Sequence, residues 1–233
     1  MEHIIVNTHS ADSFVEVILN RPHRRNAVTG PMVEELITAF ETINADSEVS
    51  VIVLRGAEGA FCSGLDLKEF GAEPAPEWKL NFAERWQQLH RLIFDSSKIL
   101  IGAIEGAAIN AGSALALACD ISIVGNSSKL QVGEIQRGMA APMNLAWLKL
   151  RHSEATAARL TLLGDPVVGA DIVTLGIAHQ CVDDSLVVNH ACELAARIGS
   201  FDSDGVIQMK KALRRSYFSG TSEEWLANWP QHD

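Results

Sequence analysis

Ile99-Leu100-Ile101-Gly102-Ala103-Ile104 is followed by Glu105-Gly106-Ala107-Ala108-Ile109-Asn110-Ala111-Gly112-Ser113-Ala114-Leu115-Ala116-Leu117-Ala118, and then by Ile121-Ser122-Ile123-Val124. The first run is apolar without interruption and closed by a glycine turn, and the last is apolar apart from Ser122. That is the pattern of strands buried on both faces. The stretch 112–118 holds small, helix-compatible residues. Two buried strands joined through a helix make a βαβ unit with parallel strands. Ser50-Val51-Ile52-Val53-Leu54, ending at Arg55-Gly56, is another run of this kind. The fold class read from these stretches is α/β.

Toward the N-terminus, Ile4-Ile5-Val6 and Phe14-Val15-Glu16-Val17-Ile18-Leu19 read as strands, with Ala11-Asp12-Ser13 as the turn between them. Asn20-Arg21-Pro22 breaks the pattern. Pro31 then opens an amphipathic helix whose apolar positions are Met32, Val33, Leu36, Ile37, Phe40 and Ile43. Trp78, Phe82, Trp86, Leu89 and Ile93 recur at spacings of three and four, which predicts one long helix; its aromatic stripe suits core packing or a lid. From Met143 onward helices dominate, interrupted at Gly164-Asp165-Pro166 and Gly176, with His179-Gln180-Cys181-Val182 as a short strand. The organisation expected is an α/β core over residues 1–185 and a helical C-terminal region over 186–233, attached as an appendage.

The 233 residues suffice for one domain with an appendage, and a 47% apolar content excludes a disordered chain. A formal net charge of -10 argues against binding driven by phosphate neutralisation and against anionic membrane surfaces. No apolar run approaches the ~20 residues of a spanning helix. Met1-Glu2-His3 does not begin a signal peptide, so a cytoplasmic location with reduced thiols is expected. Cys62, Cys119, Cys181 and Cys192 form no CxxC pair, and no HExxH occurs among eight scattered histidines. No metal site is therefore expected. A dinucleotide-binding GxGxxG, a GxxxxGK[ST] phosphate loop and a G-x-S-x-G elbow are all missing.

Two loops remain that could carry chemistry. Gly59-Ala60-Phe61-Cys62-Ser63-Gly64-Leu65-Asp66-Leu67-Lys68 and Glu105-Gly106-Ala107-Ala108-Ile109-Asn110-Ala111-Gly112-Ser113-Ala114 each follow a buried strand and run into a helix. Small side chains let a ligand approach the backbone, and a helix start leaves N–H groups free to face developing negative charge. One N–H from each loop could form an oxyanion hole. Close strand–helix packing alone would also require such turns. Cys62 beside Ser63 invites a nucleophile reading, but with no histidine near it in sequence it reads as a small buried residue.

Asn20-Arg21-Pro22 with Asn26-Ala27, the block 60–68, the block from Glu105-Gly106-Ala107-Ala108 to Cys119-Asp120, and Gly133-Glu134-Ile135 occur in the order and at the separations that mark the crotonase family of enoyl-CoA hydratases and isomerases, which this chain resembles over nearly its whole length. The resemblance implies a crotonase-like spiral of βαβ units with a helical C-terminal region. It implies an acyl-CoA thioester substrate, as in fatty acid metabolism, with coenzyme A as part of the substrate and no separate cofactor. It also implies a homotrimer or dimer of trimers, an expectation that the short helical region tempers. The two oxyanion-hole amides map onto Leu65 and Ala111, where the family commonly has glycine at the latter. Asp66, Leu67 and Lys68 fall where the family's loop follows adenine and pantetheine. Arg24 and Arg25 fall where basic residues often meet the phosphates, and are equally readable as solvated surface charge. Ser63 and Asn110 complete the expected substrate-contacting set. Lys210, Lys211, Arg214 and Arg215 read as a solvated helix face or as a contact for the coenzyme's 3′-phosphate.

The departure lies in the acid/base pair. The first of the two hydratase glutamates maps onto Ala114, and the second onto Glu134. Hydration needs a water oriented and deprotonated as well as a proton delivered to the α-carbon. Moving a double bond from the 3- to the 2-position needs one proton removed at C2 and returned at C4, which one base can do. Losing one positioned acid/base group removes about 10²–10⁴ in rate. The expectation is therefore an isomerase ahead of a hydratase, with Glu134 as the shuttle. Weak hydration by a water held at Asn110 and Ser113, decarboxylation of a malonyl-type thioester, and a silent acyl-CoA binder are the alternatives. As a purely structural residue, Glu134 would cap a following helix or pair with Arg137.

Overall fold

The structure is a computed structural model that describes residues 2–227; residues 228–233 of the expected helical region lie outside the described residues. The strands are β1 (Ile4–His9), β2 (Phe14–Leu19), β3 (Val51–Gly56), β4 (Ile99–Ile104), β5 (Ala107–Ile109), β6 (Ile121–Gly125), β7 (Lys129–Gln131), β8 (Val167–Val168) and β9 (Gln180–Val182). The helices are α1 (Gly30–Ala45), α2 (Leu67–Phe70), α3 (Phe82–Asp95), α4 (Ala111–Ala118), α5 (Pro142–Arg151), α6 (Glu154–Ala158), α7 (Ala170–Thr174), α8 (Val187–Gly199), α9 (Ser203–Tyr217) and α10 (Ser222–Ala227).

Six strands form one sheet in the order β1-β2-β3-β4-β6-β9, parallel throughout except for the antiparallel β1–β2 pair. Its inner strands β3, β4 and β6 are largely apolar on both sides because both sides are covered, whereas the edge strand β1 is mostly exposed. Val51, Val53, Ile101, Ala103 and Ile123 pack with Val187, Ala191 and Ala195 of α8. Ile52, Leu54, Leu100, Ile104 and Val124 join the larger core that includes α1, α3, α4 and α5. The region after residue 185 is thus no appendage: α8 is one wall of the sheet. Its spacing of four between Val187, Ala191 and Ala195 supplies the stripe that makes this possible.

A second ladder gives the spiral. Strands β5, β7 and β8 form a small sheet, and the isolated parallel bridges Cys62–Ala108 and Val28–Leu65 add rungs beyond β5. Each turn of chain therefore contributes first to the large sheet and then to this ladder, as in β4 to β5 and β6 to β7. These rungs are one to three residues long, too short to show a two-residue period, which is why the sequence shows only loops there.

The helix predicted from Trp78 onward is in fact two elements. Trp78 sits in a separate short turn, Glu77–Leu80, and α3 begins at Phe82. The aromatic stripe nevertheless runs on: the Trp78 and Phe82 ring centroids are 5.5 Å apart, Phe82 stacks on Trp86, and Trp86 meets His90 edge-on. Burial lowers the His90 pKa to about 3, so the ring is neutral and accepts from Trp147 Nε1 at 2.8 Å. Lys210 is also committed. It is buried against Asp120 at 2.8 Å, at the start of β6, while Arg214 lies over the Phe94 ring. The Arg215 side chain lies outside the described residues.

Candidate active site

Residues 20–28 act as a staple for the first loop. Asn26, at φ 55°, accepts from Arg21 N through Oδ1 and donates through Nδ2 to the Ala57 and Ala60 carbonyls. Buried Arg21 donates to Ala27 O at 2.7 Å and to Asp66 Oδ2 at 3.2 Å. Asp66 is the hub of this region: it caps α2 by accepting from Glu69 N, and Arg24 holds it bidentately at 2.9 and 3.2 Å. The Arg24 guanidinium, ahead of a burial effect of opposite sign and with help from Arg21, brings the Asp66 pKa down to about 2.

The Val28–Leu65 rung determines where the Leu65 amide points. Val28 donates to Gly64 O at 2.8 Å and accepts from Asp66 N at 2.9 Å. In a parallel ladder the intervening residue turns its own N–H to the opposite side. Leu65 N–H donates to no other described residue, and neither does Ala111 N–H.

The second loop abuts the first. Ile109 N donates to Cys62 O at 3.0 Å. A β-carbon at Gly112 would collide with the Cys62 carbonyl, and one at Gly64, whose φ is +100°, would stand 3.0 Å from Ile109 O. Glycine at 64 and 112 is therefore what lets the two turns meet. Ala111 is the first residue of α4 with ordinary helical backbone; the unusual conformation falls on Asn110, at φ 54° and ψ −110°. That region costs a non-glycine residue on the order of 1–3 kcal/mol. It is held in place by Asn110 N on Gln131 O at 2.8 Å and by Asn110 Oδ1 accepting from Gly133 N at 2.9 Å.

The second of those bonds brings Glu134 to the same place. Its carboxyl accepts from Asn144 Nδ2 through Oε1 at 3.1 Å, while Oε2 is buried without a partner. Burial raises its pKa above the ordinary glutamate value, only partly offset by its own amide and by Arg137. It does not cap α5, whose N-cap is Ala141. Asn144 carries no signal in the sequence beyond being a polar residue at a core position of α5, beside Trp147 and Leu148. It is 2% exposed and touches Glu134, Ser113 and the Asn110 carbonyl.

The remaining candidates are distributed as follows. Ser63 N donates to Arg25 O and its hydroxyl to Arg24 O at 3.3 Å. Arg25, Leu67 and Lys68 are exposed near the Leu65 turn, and Ala114 is 1% exposed in the core side of α4. Cys62 is fully buried with its thiol pushed up to about 12 by desolvation, as the reading of a small buried residue expects. Among the described residues, no group of three or more His, Cys, Asp or Glu stands ready to hold a metal ion, and no helix is long and apolar enough to cross a membrane.

The enoyl-CoA hydratase/isomerase family profile matches residues 9–228. The chain belongs to this family. It is 32% identical over 191 residues to a probable enoyl-CoA hydratase of Bacillus subtilis, covering 81% of this chain and 74% of that protein. It is 29% identical over 217 residues to the 1,2-epoxyphenylacetyl-CoA isomerase of Escherichia coli, covering 91% and 82%. A crystal structure of an enoyl-CoA hydratase/isomerase from Marinobacter aquaeolei superimposes with a TM-score of 0.83 at 28% identity, covering 98% of this chain and 88% of that one. The crotonase fold and an acyl-CoA enzyme of the hydratase/isomerase family follow from these likenesses. They span both hydratases and an isomerase, so the reaction must be argued from the site.

Proposed function

We propose that this chain isomerises the double bond of an enoyl-CoA thioester through an enolate, with hydration as the slower reaction. The observation that carries the reading is Glu134: one carboxyl oxygen anchored by Asn144, the other bare and buried, and Ala114 where a second carboxylate would be needed. The thioester oxygen is received by the unpaired N–H groups of Leu65 and Ala111, and one such donor is worth roughly 2.7–4 kcal/mol at the transition state. Glu134 Oε2 takes the proton from C2 and returns it at C4. Its raised pKa makes the protonated intermediate state accessible. Ser63, Leu67 and Lys68 with exposed Arg25 offer the surface for the coenzyme arm. Arg24 and Asp66 neutralise each other and shape that loop, while Asn110 fixes the Ala111 turn. The exposed strip Ile135, Met139, Leu162 and Leu163 next to Glu134 is the face a second copy would cover in a homotrimer.

The test is turnover of 3-hexenoyl-CoA and 2-hexenoyl-CoA by parent and Glu134→Gln. We expect the 3-enoyl substrate to be converted faster and the variant to lose about 10²–10⁴ in rate. Undiminished turnover by the variant would remove Glu134 from the chemistry.

A further inference from the structure

We infer that Asn144 is a positioning residue that sets Glu134 against the Ala111 amide, gripping the carboxylate and the Asn110–Ala111 peptide with one NH2 group. The inference rests on the proposed role of Glu134 only for its effect on rate; the clamp itself is geometric.

Two acceptors face the same Asn144 nitrogen: Glu134 Oε1 at 3.1 Å and Asn110 O at 3.2 Å. An amide oxygen in that place would oppose a carboxylate and a carbonyl, so the NH2 group must face them, and its two hydrogens match the two acceptors. The other end of the amide is held as well, since Oδ1 lies 2.7 Å from the Ser113 hydroxyl, which is also 2.7 Å from Asn110 O. With the side chain 2% exposed and both ends bonded, Asn144 has little freedom to rotate.

The grip on Asn110 O has a consequence at Ala111. That oxygen and the Ala111 N–H belong to one planar peptide unit and point in opposite directions. Asn110 O accepts from Asn144 Nδ2 and from Ala114 N, the latter at 3.0 Å, while the single Ser113 hydroxyl hydrogen is shared between Asn144 Oδ1 and Asn110 O. Anchoring the oxygen therefore fixes the direction of the N–H, and polarising the carbonyl makes that N–H a better donor. On the other side, the bond to Oε1 leaves Oε2 as the one free base. The same side chain thus spans the two groups whose separation must match the distance from the thioester oxygen to the α-carbon.

The experiment is a pH titration of the Glu134 carboxyl by carbon NMR on protein labelled at glutamate carboxyls, with the signal assigned by its loss in Glu134→Gln. Asn144 Nδ2 donates to the ionised form, so Asn144→Ala is expected to move the midpoint upward from the parent value. Arg137, the charged group that acts on Glu134, is unchanged in that variant. On 3-hexenoyl-CoA the same variant should lose about 10²-fold in kcat with KM little changed. Asn144→Asp keeps the size, places a second carboxyl beside the first and should raise the midpoint further; it carries the test should the alanine variant not fold. A Glu134 midpoint unmoved in a folded Asn144 variant would overturn the inference. Full activity in Glu134→Gln would instead overturn the proposed function and leave the titration to judge the clamp alone.

Discussion

Asp66 and Glu134 flank the same pair of loops, one at the start of α2 and the other ahead of α5. Asp66 receives Arg24 on both oxygens, Arg21 on one and the Glu69 amide at the helix start, and its pKa falls to about 2. Glu134 receives a single side-chain donor, keeps one buried oxygen bare, and its pKa rises through desolvation. A carboxylate with every lone pair engaged is fixed in one charge state and serves as a joint. One that is half engaged in a dry place holds its proton to higher pH than an ordinary glutamate. The contrast fits an architectural part for Asp66 and the proposed chemistry at Glu134, although both lie in blocks that resemble the family.

Removing Asp66 gives the largest effect on stability. Asp66→Ala takes one of two carboxylate partners from buried Arg21, leaving Glu69 at 3.1 Å, frees Arg24 and uncaps α2; a loss of about 2 kcal/mol is expected in urea unfolding at neutral pH. Glu134→Gln should leave the unfolding midpoint near the parent's or above it, because it removes a charge that burial disfavours. A reversal of that order would break the contrast.

A change of pH separates the same two groups. Asp66 has a folded pKa below its ordinary value of 3.8, so its contribution is fully present above pH 3.8 and is lost as pH falls through about 2. Glu134 has a folded pKa above its ordinary 4.5, so the carboxylate proposed as base is lost first as pH falls. We expect kcat/KM to decline on an acid limb whose midpoint lies above 4.5, while the stability difference between parent and Asp66→Asn holds constant down to pH 4. An activity profile flat to pH 4 would contradict the assignment of the base.

The smallest effect belongs to the exposed charges. Lys68 and Arg25 lie near the Leu65 turn without burial. Solvent-screened contacts of this kind contribute about 0.2–1 kcal/mol each. Lys68→Ala should therefore raise KM for the thioester a few-fold, more at low salt, and leave kcat alone. A large fall in kcat would move Lys68 from the coenzyme arm to the reacting end.

The parallel sheet was legible in the largely apolar runs at 51–54, 99–104 and 121–124, because strands covered on both faces need no polar alternation. The second ladder was not, since its rungs are single residues or triplets such as Lys129-Leu130-Gln131. Nor was the role of α8: its stripe of valine and alanines is plain in the sequence, but nothing local says which sheet face it covers. Leu65, Ala111 and Glu134 were reached only through resemblance, and the structure adds why Asn110 and not Ala111 carries the unusual backbone. Asn144 escaped because one polar residue on a helix reads as solvent-facing until the partners of its amide are known.

The most direct test of a single-base mechanism follows one atom. With 3-hexenoyl-CoA deuterated at C2, Glu134 as sole shuttle predicts that part of the label reappears at C4 of the 2-enoyl product, and that this transfer disappears in Glu134→Gln. A product with oxygen added at C3, no label at C4, and the same rate in the variant would contradict it.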